Sequence, residues 1–230
     1  DALPIYTDPE IVMRDAASAL TAVAAGTEPP LRIFNPELQQ RAGERLRIES
    51  ALLHAIERNT LQLVYQPMVS LRDGSLRGFE ALLRWHDAEL GQVSPALFVP
   101  IAEEMGLIQQ IGTWVLRTAC HQIVEWREAA LIADQVKFSV SVNLSGRQLD
   151  GADSFAHILA VIAETGVPSS NLSLELTETA LSANPDRARD ALMAIRLHGV
   201  SLAVDEFGTG YSSRTYLGRC PVDRLRSHQS

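Results

Sequence analysis

Cysteine, spaced histidine, positive charge and long apolar runs are all in short supply in this chain. Its 230 residues include two cysteines, Cys120 and Cys220, too few for a disulfide framework or a zinc ribbon. The six histidines (54, 86, 121, 157, 198 and 228) show no metal-ligand spacing and read as surface or capping residues. No run reaches the roughly 18 apolar residues of a membrane span, and no signal-peptide pattern opens the chain. The net charge of −8 and pI near 5.2 argue against a nucleic-acid backbone or an anionic membrane surface as partner. Neither DNA binding nor membrane contact is therefore expected of this segment, and a reducing, cytoplasmic setting is. Asp1 is not a natural start, so any anchor of a longer parent is expected upstream of it.

Apolar residues make up 46% of the chain, enough to build a sizeable core in one large α/β domain or two small ones. Residues 9–25 read as a short helix that starts at Pro9 and stops at Gly26, and "LRIF" (31–34) as a brief extended piece. The stretch 35–59 reads as a charged helix capped by Asn35, with a narrow apolar stripe through Leu46, Ala51, Leu52, Ala55 and Ile56. From residue 61 the pattern changes. "LQLVYQPMV" (61–69) and "LRGFEALLRW" (76–85) are strands joined by a turn at Asp73-Gly74, which predicts an antiparallel hairpin.

Helices and strands then alternate. Helices are predicted from Ser94 to Gly106 and over 108–130, 153–165 and 185–198, and strands over 137–145, 172–178, 200–207 and 222–227. A repeating helix, glycine, strand unit argues for a parallel sheet, either doubly wound or closed as a (β/α)₈ barrel. Each strand is apolar and then turns polar at its C-terminal end: Asn143, Glu175 with Glu178, and Asp205 with Glu206. In a parallel barrel those ends meet on the face that carries active sites. Glu80, inside an apolar strand, is costly to bury unless it binds something.

Any one of these residues alone is more often structural, and an isolated Asp-Glu pair is more often a solvated loop. Several strands delivering carboxylate or amide oxygens to one end is a stronger signal. Oxygen donors without Cys or His suit Mg²⁺, Mn²⁺ or Ca²⁺. Four carboxylates and an amide can hold two such ions about 3.5–4 Å apart, the arrangement of metal-dependent phosphoester hydrolysis.

"YQPMVSLRDGSLRGFEALLRW", "VNLS", "ELTE" and "EFGTGYSS", in that order and spacing, closely resemble the EAL family of bacterial cyclic di-GMP phosphodiesterases, from about residue 45 to 225. The resemblance implies a TIM-like (β/α)₈ barrel whose first strand is antiparallel. It implies cleavage of cyclic di-GMP to linear pGpG with two Mg²⁺ or Mn²⁺ ions. Carried across, it assigns metal binding to Glu80, Asn143, Glu175, Asp205 and Glu206, and substrate contacts to Gln66 and Arg84. Glu80, Asp205, Glu206 and Arg226 would be catalytic. Glu178 would organise the turn holding Gly208 and Gly210, which the family also uses for a homodimer contact. Residues 1–40 resemble the tail of a GGDEF-like domain, with 41–59 a connector helix and 60–230 the EAL domain.

Three departures bear on activity. The family has Asp where Glu206 stands and Lys where Arg226 stands, and its seventh and eighth strands find no counterpart before Ser230. About six of eight strands are therefore expected, leaving open sheet edges and an apolar interior facing water. Three functions remain open: a phosphodiesterase impaired in this chain, a degenerate cyclic di-GMP receptor, and a remnant acting only through protein contacts. Retention of Glu80, Asn143, Glu175, Asp205 and Arg84 favours the first two.

Overall fold

The structure, a computed structural model, describes residues 10–13, 16–17, 36–129, 138–149, 154–177, 180, 185–205 and 222–225. The chain divides into two compact units, Asp1–His54 and Ala55–Ser230. In the first, residues 10–13 and 16–17 are helical, within the helix expected at 9–25. The extended piece expected at 31–34 lies outside the described residues. Helix α1 (Pro36–Leu52) follows, braced by an Arg45–Glu49 ion pair of 2.7 Å one turn apart. Its buried side chains are Ile48 and Leu52, whereas Leu46 is 64% exposed. The apolar stripe thus follows the i, i+4 pair Ile48–Leu52 and leaves Leu46 outside it.

The second unit runs β1 (Leu61–Val69), β2 (Leu76–Asp87), β3 (Gly91–Val93), α2 (Pro95–Glu104), α3 (Ile108–Glu128), β4 (Ser139–Asn143), α4 (Ser154–Thr165), β5 (Leu172–Thr177), α5 (Pro185–Leu197), β6 (Ser201–Asp205) and β7 (Arg224–Leu225). The sheet order is β1-β2-β4-β5-β6-β7, with β3 pairing β2. β1 and β2 are antiparallel, and β2/β4, β4/β5, β5/β6 and β6/β7 are parallel. This is a partial (β/α)₈-type barrel with the expected antiparallel first strand. Gly166 and Gly199, with φ of 68° and 85°, end the two helices that feed β5 and β6, a conformation glycine adopts without steric cost.

One expected boundary moves and one strand is added. The helix read over 35–59 stops at Leu52, and residues 53–59 form turns. Both the N–H and the hydroxyl of Thr60 donate to the Ala55 carbonyl at 3.0 Å, and Asn59 takes a positive φ of 54°. Those bonds compete with continuation of the helix and aim the chain into β1. The short strand β3 was not legible, because it pairs only Gly91, Gln92 and Val93 with the end of β2.

Register divides the sheet into two chemically different faces, because side chains alternate along each strand. One face carries Leu61, Leu63, Tyr65, Phe79, Ala81, Trp85, Val140, Val142, Leu172, Leu174, Leu176, Leu202 and Val204. Helices cover it: α3 packs on β1 and β4, α2 on β2 and α5 on β6. Seven α3 residues from Ile108 to Ile123 are buried at helical spacing. Trp126 of α3 stands within 4.9–6.1 Å, centroid to centroid, of Tyr65, Phe79 and Phe138, tying β1, β2 and the approach to β4 together. Trp85 packs edge-on against Phe98 at 5.3 Å and donates its indole N–H to Thr60 at 3.1 Å.

The other face carries Gln66, Glu80, Ser139, Ser141, Asn143, Ser173, Glu175, Thr177, Ser201, Ala203 and Asp205. The expected apolar interior is therefore corrected: along β4, β5 and β6 it is built of serine, alanine and the site residues. On β1 and β2 the same face also carries the apolar Val64, Met68 and Leu82.

The β2–β3 turn rests on Asp87, which is buried at 6% exposure. Its Oδ1 accepts the N–H groups of Glu89 at 2.9 Å and Leu90 at 3.1 Å. The Glu89 N–H first, then that of Leu90, holds the Asp87 carboxyl below the ordinary carboxylate range. A depressed carboxyl contributes stability above its unfolded pKa of about 3.9, and that contribution is lost as pH falls through the lower folded value. Asp87→Asn keeps an acceptor but cannot titrate. Urea midpoints measured from pH 7 downward should fall less steeply for Asp87→Asn than for the wild type below about pH 4. Parallel curves would remove Asp87 from the acid limb.

Candidate active site

Parallel register places the polar strand ends beside one another. Gln66 lies directly across from Glu80, Glu80 beside Ser141, Asn143 beside Glu175, and Thr177 beside Asp205. Because a parallel barrel staggers its strands, Glu80 reaches diagonally along the sheet. The Asn143 amide Nδ2 donates to Glu80 Oε1 at 3.0 Å, a bond between residues 63 positions apart in sequence. Glu175 is 2% exposed, Glu80 and Asp205 are half-buried, and Asn143 and Gln66 are exposed. Arg84 shares the face of Glu80, four residues on, and its guanidinium donates back to the Leu83 carbonyl at 2.9 Å.

The sequence-derived candidates therefore sort into three groups. Glu80, Asn143 and Glu175 are brought together by contact and register. Asp205, Gln66 and Arg84 share their face, with Asp205 further towards the C-terminal end of the sheet. Glu178, Glu206, Gly208, Gly210 and Arg226 lie outside the described residues. Among the described residues, no three acidic, histidine or cysteine side chains stand close enough together to hold a metal ion. The donor chemistry nevertheless fits a hard divalent cation, because Glu80, Asn143, Glu175 and Asp205 all offer oxygen. An Asn143 that donates Nδ2 to Glu80 keeps Oδ1, the atom such a cation takes.

Other chemistries find less support here. Cys120 is a buried free thiol whose pKa burial pushes up to about 11, which leaves it protonated and unreactive near neutral pH. Histidines 54, 86, 121, 157 and 198 are exposed, as expected, and His198 caps α5 through a 2.8 Å bond to the Ala194 carbonyl.

Several supporting residues carried no readable motif. The loop after β4 is held from outside: the Ser145 hydroxyl donates to Glu103 of α2, and Gln109 of α3 donates to the Arg147 carbonyl at 2.8 Å. The Ser145 N–H donates to Gln148 Oε1 at 3.0 Å, and the Leu144 N–H to the Glu175 carbonyl at 2.7 Å. Gly112 admits Gln148, whose amide nitrogen would lie 2.0 Å from a Cβ there. At the far end, Asp223 fixes β7 against β6 by accepting the Leu202 N–H at 3.0 Å and pairing with Arg196 at 3.1 Å. Only Gly78 left a signal, since a glycine inside a strand marks close approach of another backbone.

Comparison with known proteins turns this geometry into a family assignment. The family model for the EAL domain matches residues 49–230. The chain belongs to the EAL family. It is 33% identical over 223 residues to the cyclic di-GMP phosphodiesterase PdeR of Escherichia coli K12, covering 97% of this chain and 33% of that protein. It is 36% identical over 199 residues to the oxygen sensor protein DosP of the same organism, covering 86% of this chain and 24% of that protein. The chain thus spans about a third or less of these curated relatives. Among solved structures, the PaMucR phosphodiesterase in complex with c-di-GMP superposes with a TM-score of 0.73 at 36% identity, over 79% of this chain and 72% of that one. The EAL enzyme Bd1971 in its cGMP-bound form gives 0.71 at 28% identity, over 96% and 57%.

In this EAL domain the motif glutamate depends on Gly78. Gly78 pairs with Ser139, and a Cβ at Gly78 would lie 1.8 Å from the Ser139 carbonyl oxygen, at a φ of 155°. Gly78→Ala must separate β2 from β4 two residues before Glu80, and so loosen the Glu80–Asn143 bond. The substitution should destabilise the protein by about 3 kcal/mol, the upper end of overpacking costs, as read by urea unfolding. A change within about 0.5 kcal/mol would show that the two strands separate freely at this point.

Proposed function

We propose that, in the intact protein, this EAL domain binds cyclic di-GMP and hydrolyses one of its phosphodiester bonds to give pGpG, with two Mg²⁺ or Mn²⁺ ions. The observation that carries the reading is the hydrogen bond from Asn143 to Glu80, beside buried Glu175, in a chain that resembles an EAL phosphodiesterase solved with c-di-GMP. Glu80, Asn143, Glu175, Asp205 and Glu206 would hold the ions. When bound, the ions supply an activated water and neutralise the leaving oxygen.

The chain's own groups then have distinct tasks. Burial of Glu175 lowers the local dielectric and strengthens its pull on a cation. Asn143 orients the Glu80 carboxylate through Nδ2. Arg84, at an even offset from Glu80 and about 13 Å along the strand, supplies a guanidinium to a phosphate of the dinucleotide. Gln66, across from Glu80, offers an amide to the nucleotide. Glu178 tethers the turn with Gly208 and Gly210, which serves the second ion and a homodimer contact. We read residues 1–40 as a GGDEF-like tail and 41–59 as the connector to the EAL domain.

Two residues set the rate. Glu206 carries one methylene more than the family's aspartate, moving its carboxylate by roughly 1.5 Å, and a misplacement of about 1 Å costs on the order of 100-fold. Arg226 replaces a compact ammonium with a planar fork. Both favour weak turnover, and they are the observation behind a second reading, a receptor that binds the nucleotide without cleaving it.

Calorimetry tests the site. Glu80→Gln and Asp205→Asn should each weaken Mn²⁺ binding by at least about tenfold, since even residues behind metal ligands cost that much. Unchanged affinity in both sinks the assignment. Arg84→Ala should weaken cyclic di-GMP binding more than Mn²⁺ binding, and equal losses would make its role structural. Turnover to pGpG should rise by about 100-fold in the double variant Glu206→Asp with Arg226→Lys. Nucleotide binding without turnover in that variant would favour the receptor.

A further inference from the structure

Two buried hydroxyls on the site face of the sheet remain unexplained by the chemistry above. Ser141 and Ser173 are 1% and 0% exposed, and neither Oγ has a hydrogen-bond partner. They are register partners on β4 and β5, and Ser141 is also the register partner of Glu80. Ser141 lies two residues before Asn143, and Ser173 two before Glu175, so all point to one face. The pair thus sits level with Glu80 and two residues before Asn143 and Glu175, which the proposed function makes metal ligands.

A hydroxyl brings one donor and two acceptor lone pairs. Burying it unbonded is costly, and burying two side by side without bonding them to each other is an unusual choice for adjacent strands. Threonine or valine would suit a strand better. Their neighbours on the same face are small: Gly78, Ser139, Ser201 and Ala203. Such a site is polar, and an internal water is retained where polar groups would otherwise be left unbonded. Two strand residues rise about 6.6 Å, and one water bridging two oxygens spans two hydrogen bonds of about 2.8 Å each.

We propose that Ser141 and Ser173 hold an internal water that hydrogen-bonds to the carboxylates of Glu80, beside Ser141, and Glu175, two residues beyond Ser173. The two serines are then positioning residues. Their water accepts from one hydroxyl and donates to a carboxylate oxygen, which fixes the carboxylate rotamers from the side opposite the ion. Groups behind metal ligands act in this way on affinity and geometry together. The proposal rests on the metal-site reading for its purpose, but not for the water itself.

A crystal structure of the intact wild-type protein provides one half of the test. The expected result is an ordered water within hydrogen-bond distance of both Oγ atoms and of a Glu80 or Glu175 oxygen. A dry pair, bonded to each other or to backbone carbonyls, overturns the proposal. The other half compares Ser173→Thr with Ser173→Val, which share a shape and differ by one hydroxyl. Calorimetry should find Mn²⁺ affinity lowered by about tenfold or more in Ser173→Val and close to wild type in Ser173→Thr. Equal losses would make the effect steric, and no loss in Ser173→Val would remove the serine from the site. Either result overturns the proposed role. A wild type that binds no Mn²⁺ would defeat the metal reading, while the water would still stand or fall by the diffraction map.

Discussion

The parallel pairing of β2, β4, β5 and β6 in one register is the constraint on which the rest of this domain depends. A slip of one residue in any pairing would turn that strand's side chains to the opposite face. Glu175 would then project among the helices, and Leu174 or Leu176 into the polar interior. The register is held by apolar burial on the helix side, where Val140, Leu172, Leu174, Leu202 and Ile195 are fully buried. At roughly 25 cal/mol per Å², each large side chain there is worth about 1.5–3 kcal/mol. The helix-facing core thus sets the position of a polar site it does not touch.

The price of that arrangement appears on the opposite face. Its interior row is serine and alanine, with Glu175 buried among them at 2% exposure. Burial of a carboxylate is tolerated where something compensates its charge. In the proposed function, a divalent cation at the oxygen-rich end of the sheet would add to that compensation. The same low dielectric that makes the residue costly would strengthen its pull on such an ion.

Supporting residues are spread across elements distant in sequence. Glu103, Gln109 and Gly112 steady the loop after β4 from α2 and α3, and Gly78 lets β2 approach β4 closely enough for Glu80 to meet Asn143. Asp223 ties β7, β6 and α5 at one point. Each is an ordinary polar or small residue whose role depends on its partner, so none announces itself in the chain.

Strand periodicity, helix-ending glycines and the Asp73-Gly74 turn were legible because they are local: each reflects what a few neighbouring residues allow. The antiparallel first strand, the alternation that follows and the polar strand ends came directly from such signals. Glu80, Asn143, Glu175 and Asp205 stood out as candidates there, because a charged or amide residue within or at the end of an apolar run is conspicuous. The end of α1 at Leu52 was not legible, since it depends on Thr60 bonding back to Ala55 rather than on any breaker within the helix. The polar character of the interior was also hidden. Ser141 and Ser173 look like ordinary strand residues until register sets them side by side, next to Glu80 and two residues before Glu175. Sequence fixes which side chains alternate along a strand, but only the packed sheet decides which alternating set meets water, helix or ion, because that choice is made by partners dozens of residues away.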